Sequence, residues 1–196
     1  MSEIKQLLEY LAKARVNALQ VMSVWGIAGV GKSALVRNLY YNKQNHKEEV
    51  SNNAYKKCIW VDIHHPFNLA DFCKSLLTQF HSRSPEPNED PVRECHGLLK
   101  DNWCLLVIDN LQSTEEWDLI QDALAFRSSG SAIIVITNEE RIALHCADRE
   151  DLVFNIKGLE IRAAVDLFKK EVRLHKDNVD YYSYFTVLHH TNLISP

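Results

Sequence analysis

Glycine and proline are scarce in this chain, at six and five of 196 residues, and both are unevenly placed. Three glycines fall between Gly26 and Gly31 and none follows Gly158, while three prolines crowd into Ser82–Pro91. Such a distribution excludes collagen-like and low-complexity chains, and it marks Ser82–Pro91 as a loop. The five cysteines (58, 73, 95, 104 and 146) are odd in number and form no C-x-x-C pair. That argues against a disulfide framework or a zinc ribbon and for reduced thiols. No apolar run approaches the roughly 18 residues needed to span a bilayer. Met1-Ser2-Glu3-Ile4-Lys5 lacks the apolar core of a signal peptide. With 22 basic and 26 acidic residues the net charge is −4, so no basic field invites nucleic acid. These absences together lead us to expect a cytoplasmic chain without a membrane span or a nucleic-acid partner.

What is present is an ordinary globular composition, 46% hydrophobic and 24% charged, in a length that suits one sizeable core. Strand and helix patterns alternate. Apolar runs predict strands over Val21–Trp25, Cys58–Ile63, Cys104–Asp109, Ala132–Thr137 and Leu152–Ile156. Helical spacing predicts helices over Lys32–Asn42, Asn68–Phe80, Val92–Lys100, Thr114–Leu124, Glu139–His145 and Glu160–Val172, with an opening helix over Ile4–Ala14. Leu76, Leu77 and Phe80 are expected in the core. Alternation of this kind specifies an α/β fold with a mainly parallel sheet.

The densest chemistry lies in Gly26-Ile27-Ala28-Gly29-Val30-Gly31-Lys32-Ser33, which satisfies G-x-x-x-x-G-K-[ST]. Glycines let the backbone curl around an anion with its N–H groups inward. The lysine reaches β- and γ-phosphates, and the serine hydroxyl takes a place on Mg²⁺. A strand precedes the loop and a helix follows it, so the helix N-terminus, through Ala34, adds its partial positive charge. A magnesium partner is expected at the end of a second apolar strand, and Cys104–Asp109 supplies one in Asp109. The run Ala132–Ile136 ends in Thr137-Asn138, which alone is an ordinary strand exit. His64-His65 and His189-His190 lack the spacing of a metal site. Glu115-Glu116 reads as the acidic first turn of a helix rather than a catalytic pair.

Beyond the phosphate loop, Lys57–Asp62 with Phe67-Asn68-Leu69, Cys104–Trp117, Ser131–Ala143, and Val153–Leu159 with Ala163–Phe168 occur in a fixed order. In these segments the chain resembles the NB-ARC nucleotide-binding domain of plant disease-resistance proteins, the grass leucine-rich-repeat type in particular. The likeness covers roughly Glu3 to Val172. It implies a three-layer P-loop NTPase fold whose five-stranded sheet places the sensor strand between the phosphate-loop and Asp109 strands. It also implies a switch that ADP holds shut and ATP opens. Residues 1–172 would be the nucleotide-binding subdomain and 173–196 a divergent tail. By position, Gly26, Ile27, Ala28, Gly29, Val30, Gly31, Lys32, Ser33 and Ala34 would hold ADP or ATP. Thr137 would lie near the γ-phosphate, and Ser33 and Asp109 would hold Mg²⁺. Full-length receptors of the same family or other signalling proteins would be its partners.

Two substitutions depart from the resemblance. Asn110 stands where the family has a second aspartate, thought to be the hydrolytic base, and an amide accepts no proton at neutral pH. We therefore assign no catalytic residue and expect at most a slow ATPase. Asn138 replaces an arginine that reads the γ-phosphate, so ATP and ADP should be discriminated less well. The family's later subdomains do not follow Val172, which predicts an isolated subdomain with an exposed adenine. Two other readings stand beside the switch. One is a nucleotide-independent interaction fragment or decoy of a full-length receptor. The other is a competent small NTPase or nucleotide kinase, disfavoured because Arg127, Arg141, Arg149, Arg162 and Arg173 are dispersed.

Overall fold

In the computed structural model, the described residues are 20–45, 55, 57–81, 90–96, 98, 104–124, 131–158 and 165. The chain divides into two compact units, Met1–Lys157 and Gly158–Pro196, and the description below is of the first. The expected opening helix, the tail 173–196, His189-His190 and all of Glu160–Val172 except Val165 lie outside the described residues.

Among the described residues, ten strands and α-helices follow in order, with a short 3₁₀ helix over Glu150–Leu152 before the last strand. They are β1 (Gln20–Trp25), α1 (Lys32–Asn45), β2 (Lys57–Asp62), α2 (Leu69–His81), α3 (Pro91–Cys95), β3 (Cys104–Leu111), α4 (Thr114–Leu124), β4 (Ala132–Thr137), α5 (Glu140–Cys146) and β5 (Val153–Asn155). The strands form one sheet in the order β2-β3-β4-β1-β5, and every pairing is parallel. The expected α/β, five-stranded sheet is therefore present, with β4 between β3 and β1. Side chains alternate between faces along a strand, and the core divides accordingly. On one face Ile59, Val61, Leu106, Ile108, Ile133 and Val135 pack with Phe72, Leu76, Leu77, Phe80, Trp117 and Ile120 from α2 and α4. On the other, Met22, Val24, Leu105, Val107, Ile134 and Ile136 pack with Val36 of α1. Coverage on both faces explains why β4 is buried along its whole length and reads as an unbroken apolar run. Truncating one of these fully buried side chains, Leu106→Ala for example, should cost about 2–5 kcal/mol.

The open ends of the sheet are closed by side chains. Gln79 accepts from Trp60 N at 3.2 Å and donates to Trp60 O at 2.7 Å, so it stands in for a neighbour on edge strand β2. Buried Ser131, just before β4, takes the Cys104 N–H on its hydroxyl at 3.1 Å and the Gln20 N–H on its carbonyl at 3.2 Å, pinning β3 and β1 together. Asp148 accepts the Val21 N–H at 2.7 Å, below the point where β5 begins to pair.

Apart from Thr114–Leu124 and Ala132–Thr137, the elements begin or end one to five residues from expectation, and three of these shifts have a visible cause. Pro91 is not loop but the first residue of α3, where its missing N–H costs nothing, and Asp90 caps it through Val92 N at 3.1 Å. That helix stops at Cys95 because His96 is extended and the Leu98 N–H turns back to Cys95 O at 3.0 Å. Strand β5 starts at Val153 because Leu152 closes a 3₁₀ turn onto Arg149 O at 3.0 Å. Glu116 does more than face the helix dipole. It accepts from Ser113 N at 3.3 Å while Ser113 Oγ accepts from Glu116 N at 3.1 Å, a reciprocal capping box for α4.

Candidate functional site

Strands β1, β3 and β4 all deliver their C-terminal ends to one edge, where open parallel sheets hold ligands. The chain leaves β1 at Gly26, turns through Val30 N to Ile27 O at 3.3 Å, and enters α1 with Leu35 N on Gly31 O at 2.9 Å. Two kinds of glycine requirement act here. At Gly26 (φ +153) an added Cβ would lie 2.5 Å from Ile156 O, because the segment after β5 is hydrogen-bonded to Trp25 O at 2.8 Å. At Gly29 (φ +79) and Gly31 (φ +101) space is open, and the positive φ alone demands glycine. The Ile27 side chain is 75% exposed, so only its backbone takes part in the loop.

Lys32 begins α1 and turns back over the loop. Its ammonium donates to Gly26 O at 2.9 Å, Ile27 O at 3.0 Å and Asn138 Oδ1 at 2.7 Å. Burial pushes its pKa below the usual lysine value, and attraction to Asp109 opposes that shift. Ser33, one residue on, sets its hydroxyl beside Asp109 and lowers the pKa of that carboxyl. Asp109 is buried in the last part of β3, two residues before its end at Leu111, and burial raises its pKa. The Ser33 hydroxyl pulls it down, the Asp62 charge pushes it up, and the Asn110 N–H and Arg37 pull it down.

Beyond Asp109 the ladder slips. Ile108 pairs with Val135 but Leu111 with Thr137, so Asp109 and Asn110 together oppose one residue in a bulge. Asn110 takes up the extra residue with φ +67, a conformation that asparagine tolerates better than most. Its Nδ2 donates to Ile63 O at 3.0 Å, tying the bulge to the loop after β2. Buried Thr137 ends β4 with its Oγ1 accepting Glu139 N at 3.3 Å.

These groups enclose a cavity of about 270 Å³. Ala28, Gly29, Lys32 and Ser33 line it from the loop, Asp62, Asp109 and Asn110 from β2 and β3, and Ile136, Thr137 and Asn138 from β4. The expected Lys32, Ser33, Asp109 and Thr137 thus converge. Gly26, Ile27, Val30, Gly31 and Ala34 belong to the loop and the first helical turn without lining the cavity. Asp62 was missed, although it ends the strand beside β3. A larger hollow of about 660 Å³, lined by Leu69, Val92, Arg93 and Leu119 among others, lies between α2, α3 and α4 and holds none of these groups. His65 is engaged by Glu116 at 3.0 Å, and no cluster of three or more metal-ligating side chains occurs among the described residues. A hydroxyl and a carboxylate set side by side, as in Ser33 and Asp109, are the hard oxygen donors that suit Mg²⁺.

A parallel sheet with a glycine-rich loop, an invested lysine and a carboxylate at one edge defines a P-loop nucleotide-binding fold. Solved structures share it. The Aeropyrum pernix ORC2 protein, in ADPNP–ADP complexes, matches with TM-score 0.53 at 12% identity over 88% of this chain and 50% of its own. Domain III of the Thermotoga maritima replication initiation protein DnaA matches with TM-score 0.52 at 11% identity over 91% of this chain and 70% of its own. Within that class the chain belongs to the NB-ARC domain family, whose pattern matches residues 2–178. It is similar to disease resistance protein RPP13 of Arabidopsis thaliana, 28% identical over 71% of this chain and 16% of that protein. It is also similar to disease resistance protein RGA4 of Oryza sativa subsp. japonica, 25% identical over 85% of this chain and 17% of that protein. The chain spans about a sixth of the length of these two relatives. Among the described residues, no helix is long and apolar enough to cross a membrane.

Proposed function

We propose that this chain is an ADP- and ATP-binding switch module of the plant immune-receptor type, acting in the cytoplasm with slow or absent hydrolysis. The observation that carries this reading is the convergence of Lys32, Ser33, Asp109 and Thr137 on one cavity at the N-terminus of α1. Loop N–H groups and the helix end would receive the phosphates, and the Lys32 ammonium would neutralise them. Ser33 and Asp109 would hold Mg²⁺, which would neutralise the charge of the phosphates. Asn110 and Asn138 support slow turnover and weak discrimination of the γ-phosphate. The amide at 110 takes no proton and is committed to Ile63 O, while Asn138 brings no positive charge.

The test is titration of the purified chain with fluorescent ADP and ATP, with phosphate release followed on the same sample. Lys32→Ala should cost about 2–3 kcal/mol of binding, roughly 30–150-fold in affinity. Equal affinity in the two proteins would remove the phosphate loop from the function. Commitment of Asn110 to the scaffold also favours a second reading, a nucleotide-independent interaction fragment or decoy. That reading requires that neither nucleotide bind.

A further inference from the structure

Strands β2 and β3 run in register so that Asp62 lies beside Asp109, and neighbouring strands are about 4.8 Å apart. Alternation puts both on one face. Cys58 and Trp60 of β2, and Leu105 and Val107 of β3, belong to the core on the α1 side. Asp62 and Asp109 continue those two rows, on the side from which Ser33 approaches. Both line the phosphate-loop cavity.

Asp62 is also held in place. The Trp60 indole N–H donates to its Oδ1 at 3.2 Å. The Trp60 ring lies under the Arg37 guanidinium at 5.1 Å and meets the Tyr40 ring edge-on at 5.8 Å. Helix α1, which carries Ser33, therefore also fixes the residue that orients Asp62. Two carboxylates side by side repel one another, and a divalent cation between them and the phosphates relieves that repulsion. Asn110 offers no such charge.

Resting on the nucleotide-binding reading above, we infer that Asp62 is a second acidic group of the metal–phosphate site. It accepts hydrogen bonds from water held on the cation that Ser33 and Asp109 ligate. Mg²⁺ sheds water reluctantly and keeps several molecules in protein sites, so a carboxylate one water away is a fitting neighbour. Asp62 is a positioning residue, acting on the cation through its water.

The experiment compares binding of fluorescent ADP to the full chain in EDTA and in millimolar Mg²⁺, and binding of Mn²⁺ in the presence of ADP by electron paramagnetic resonance. Asp62→Asn keeps an acceptor for Trp60 and removes only the charge. It should shrink the Mg²⁺ enhancement of ADP affinity, and weaken Mn²⁺ binding, about 10-fold, while affinity in EDTA is unchanged or tighter. Asp62→Glu, which keeps the charge, should retain most of the enhancement. Asp71→Asn, which neutralises an exposed acid paired with Lys74 on α2, should behave as wild type. An unchanged enhancement in Asp62→Asn, or an equal loss in Asp71→Asn, overturns the assignment and leaves nucleotide binding intact. A wild-type chain that binds ADP in neither condition overturns the underlying reading, and this one with it.

Discussion

Lys32 and Asn138, 106 positions apart, meet across the phosphate loop, the ammonium donating to Asn138 Oδ1 at 2.7 Å. An ammonium has three donors, and Gly26 O, Ile27 O and Asn138 take all three. A phosphate oxygen arriving at Lys32 must displace one of them. The two carbonyls are part of the loop itself, whereas Asn138 is an exposed side chain, so it is the acceptor that yields. Asn138→Ala should tighten ADP and pyrophosphate binding by about 2–10-fold, the worth of one net hydrogen bond. Asn138→Asp should weaken both by about 10-fold or more, because its charge holds the lysine and repels the phosphates. Calorimetric titration of the three proteins decides it, and weaker binding by the alanine variant would make Asn138 a ligand rather than a competitor.

Position 110 shows the same logic in the scaffold. Asn110 donates to Ile63 O at 3.0 Å and accepts from Gln112 Nε2 at 3.4 Å. Asn110→Asp would bring back the acid expected there, yet it replaces the donor with an oxygen facing the Ile63 carbonyl. We expect a loss of about 1–3 kcal/mol and little gain in phosphate release. A hundredfold rise in turnover with an unchanged melting temperature would show that the new carboxylate leaves Ile63 and faces the cavity.

Much of the fold was legible because the central strands are buried on both faces. Ala132–Thr137 and Thr114–Leu124 emerge with the limits their patterns predict. The site was legible only as far as local motifs reach. Lys32 and Asp109 are named by their own neighbours in sequence. Asp62 depends on the register of β2 against β3, and the Asn138–Lys32 contact on the placing of β4 beside β1. Both are tertiary facts that no single segment encodes. The early end of α3 at Cys95 is a milder case, since a turn closed by Leu98 N overrides a helical spacing that runs on to Lys100.

The phosphate loop's glycines should differ in their intolerance. Gly26→Ala would drive a methyl group to 2.5 Å from a backbone oxygen of Ile156, in addition to a positive φ. Backbone at both ends must move, and about 3 kcal/mol or more should be lost, roughly 6–12 °C in Tm for a domain of this size. Gly29→Ala meets nothing within 4 Å and should cost only the conformational term, about 1–2 kcal/mol. Thermal melts without nucleotide check the order, and an equal or larger loss at Gly29 would contradict it.

Asp109 should carry a stability cost that its proposed metal role explains. Burial raises its proton affinity and the Asp62 charge adds to this, against the Ser33 hydroxyl, the Asn110 N–H and Arg37. A carboxyl whose folded-state pKa lies above its ordinary 3.8 binds more protons folded than unfolded between those two values. Stability therefore falls as pH rises through that window, and the loss persists at every higher pH. Asp109→Asn removes the term. Lys32 gives up an attraction but keeps its three acceptors, so the variant in EDTA should melt a few degrees above wild type at neutral pH, about 2–4 °C per kcal/mol. Below the unfolded carboxyl value both proteins present a neutral group, and the difference should vanish. With Mg²⁺ and ADP added, the order should reverse, since only the wild type gains the binding energy of the metal complex. A variant less stable than wild type in EDTA at neutral pH would mean that the Ser33 hydroxyl and the attraction of Lys32 outweigh the desolvation of the carboxylate.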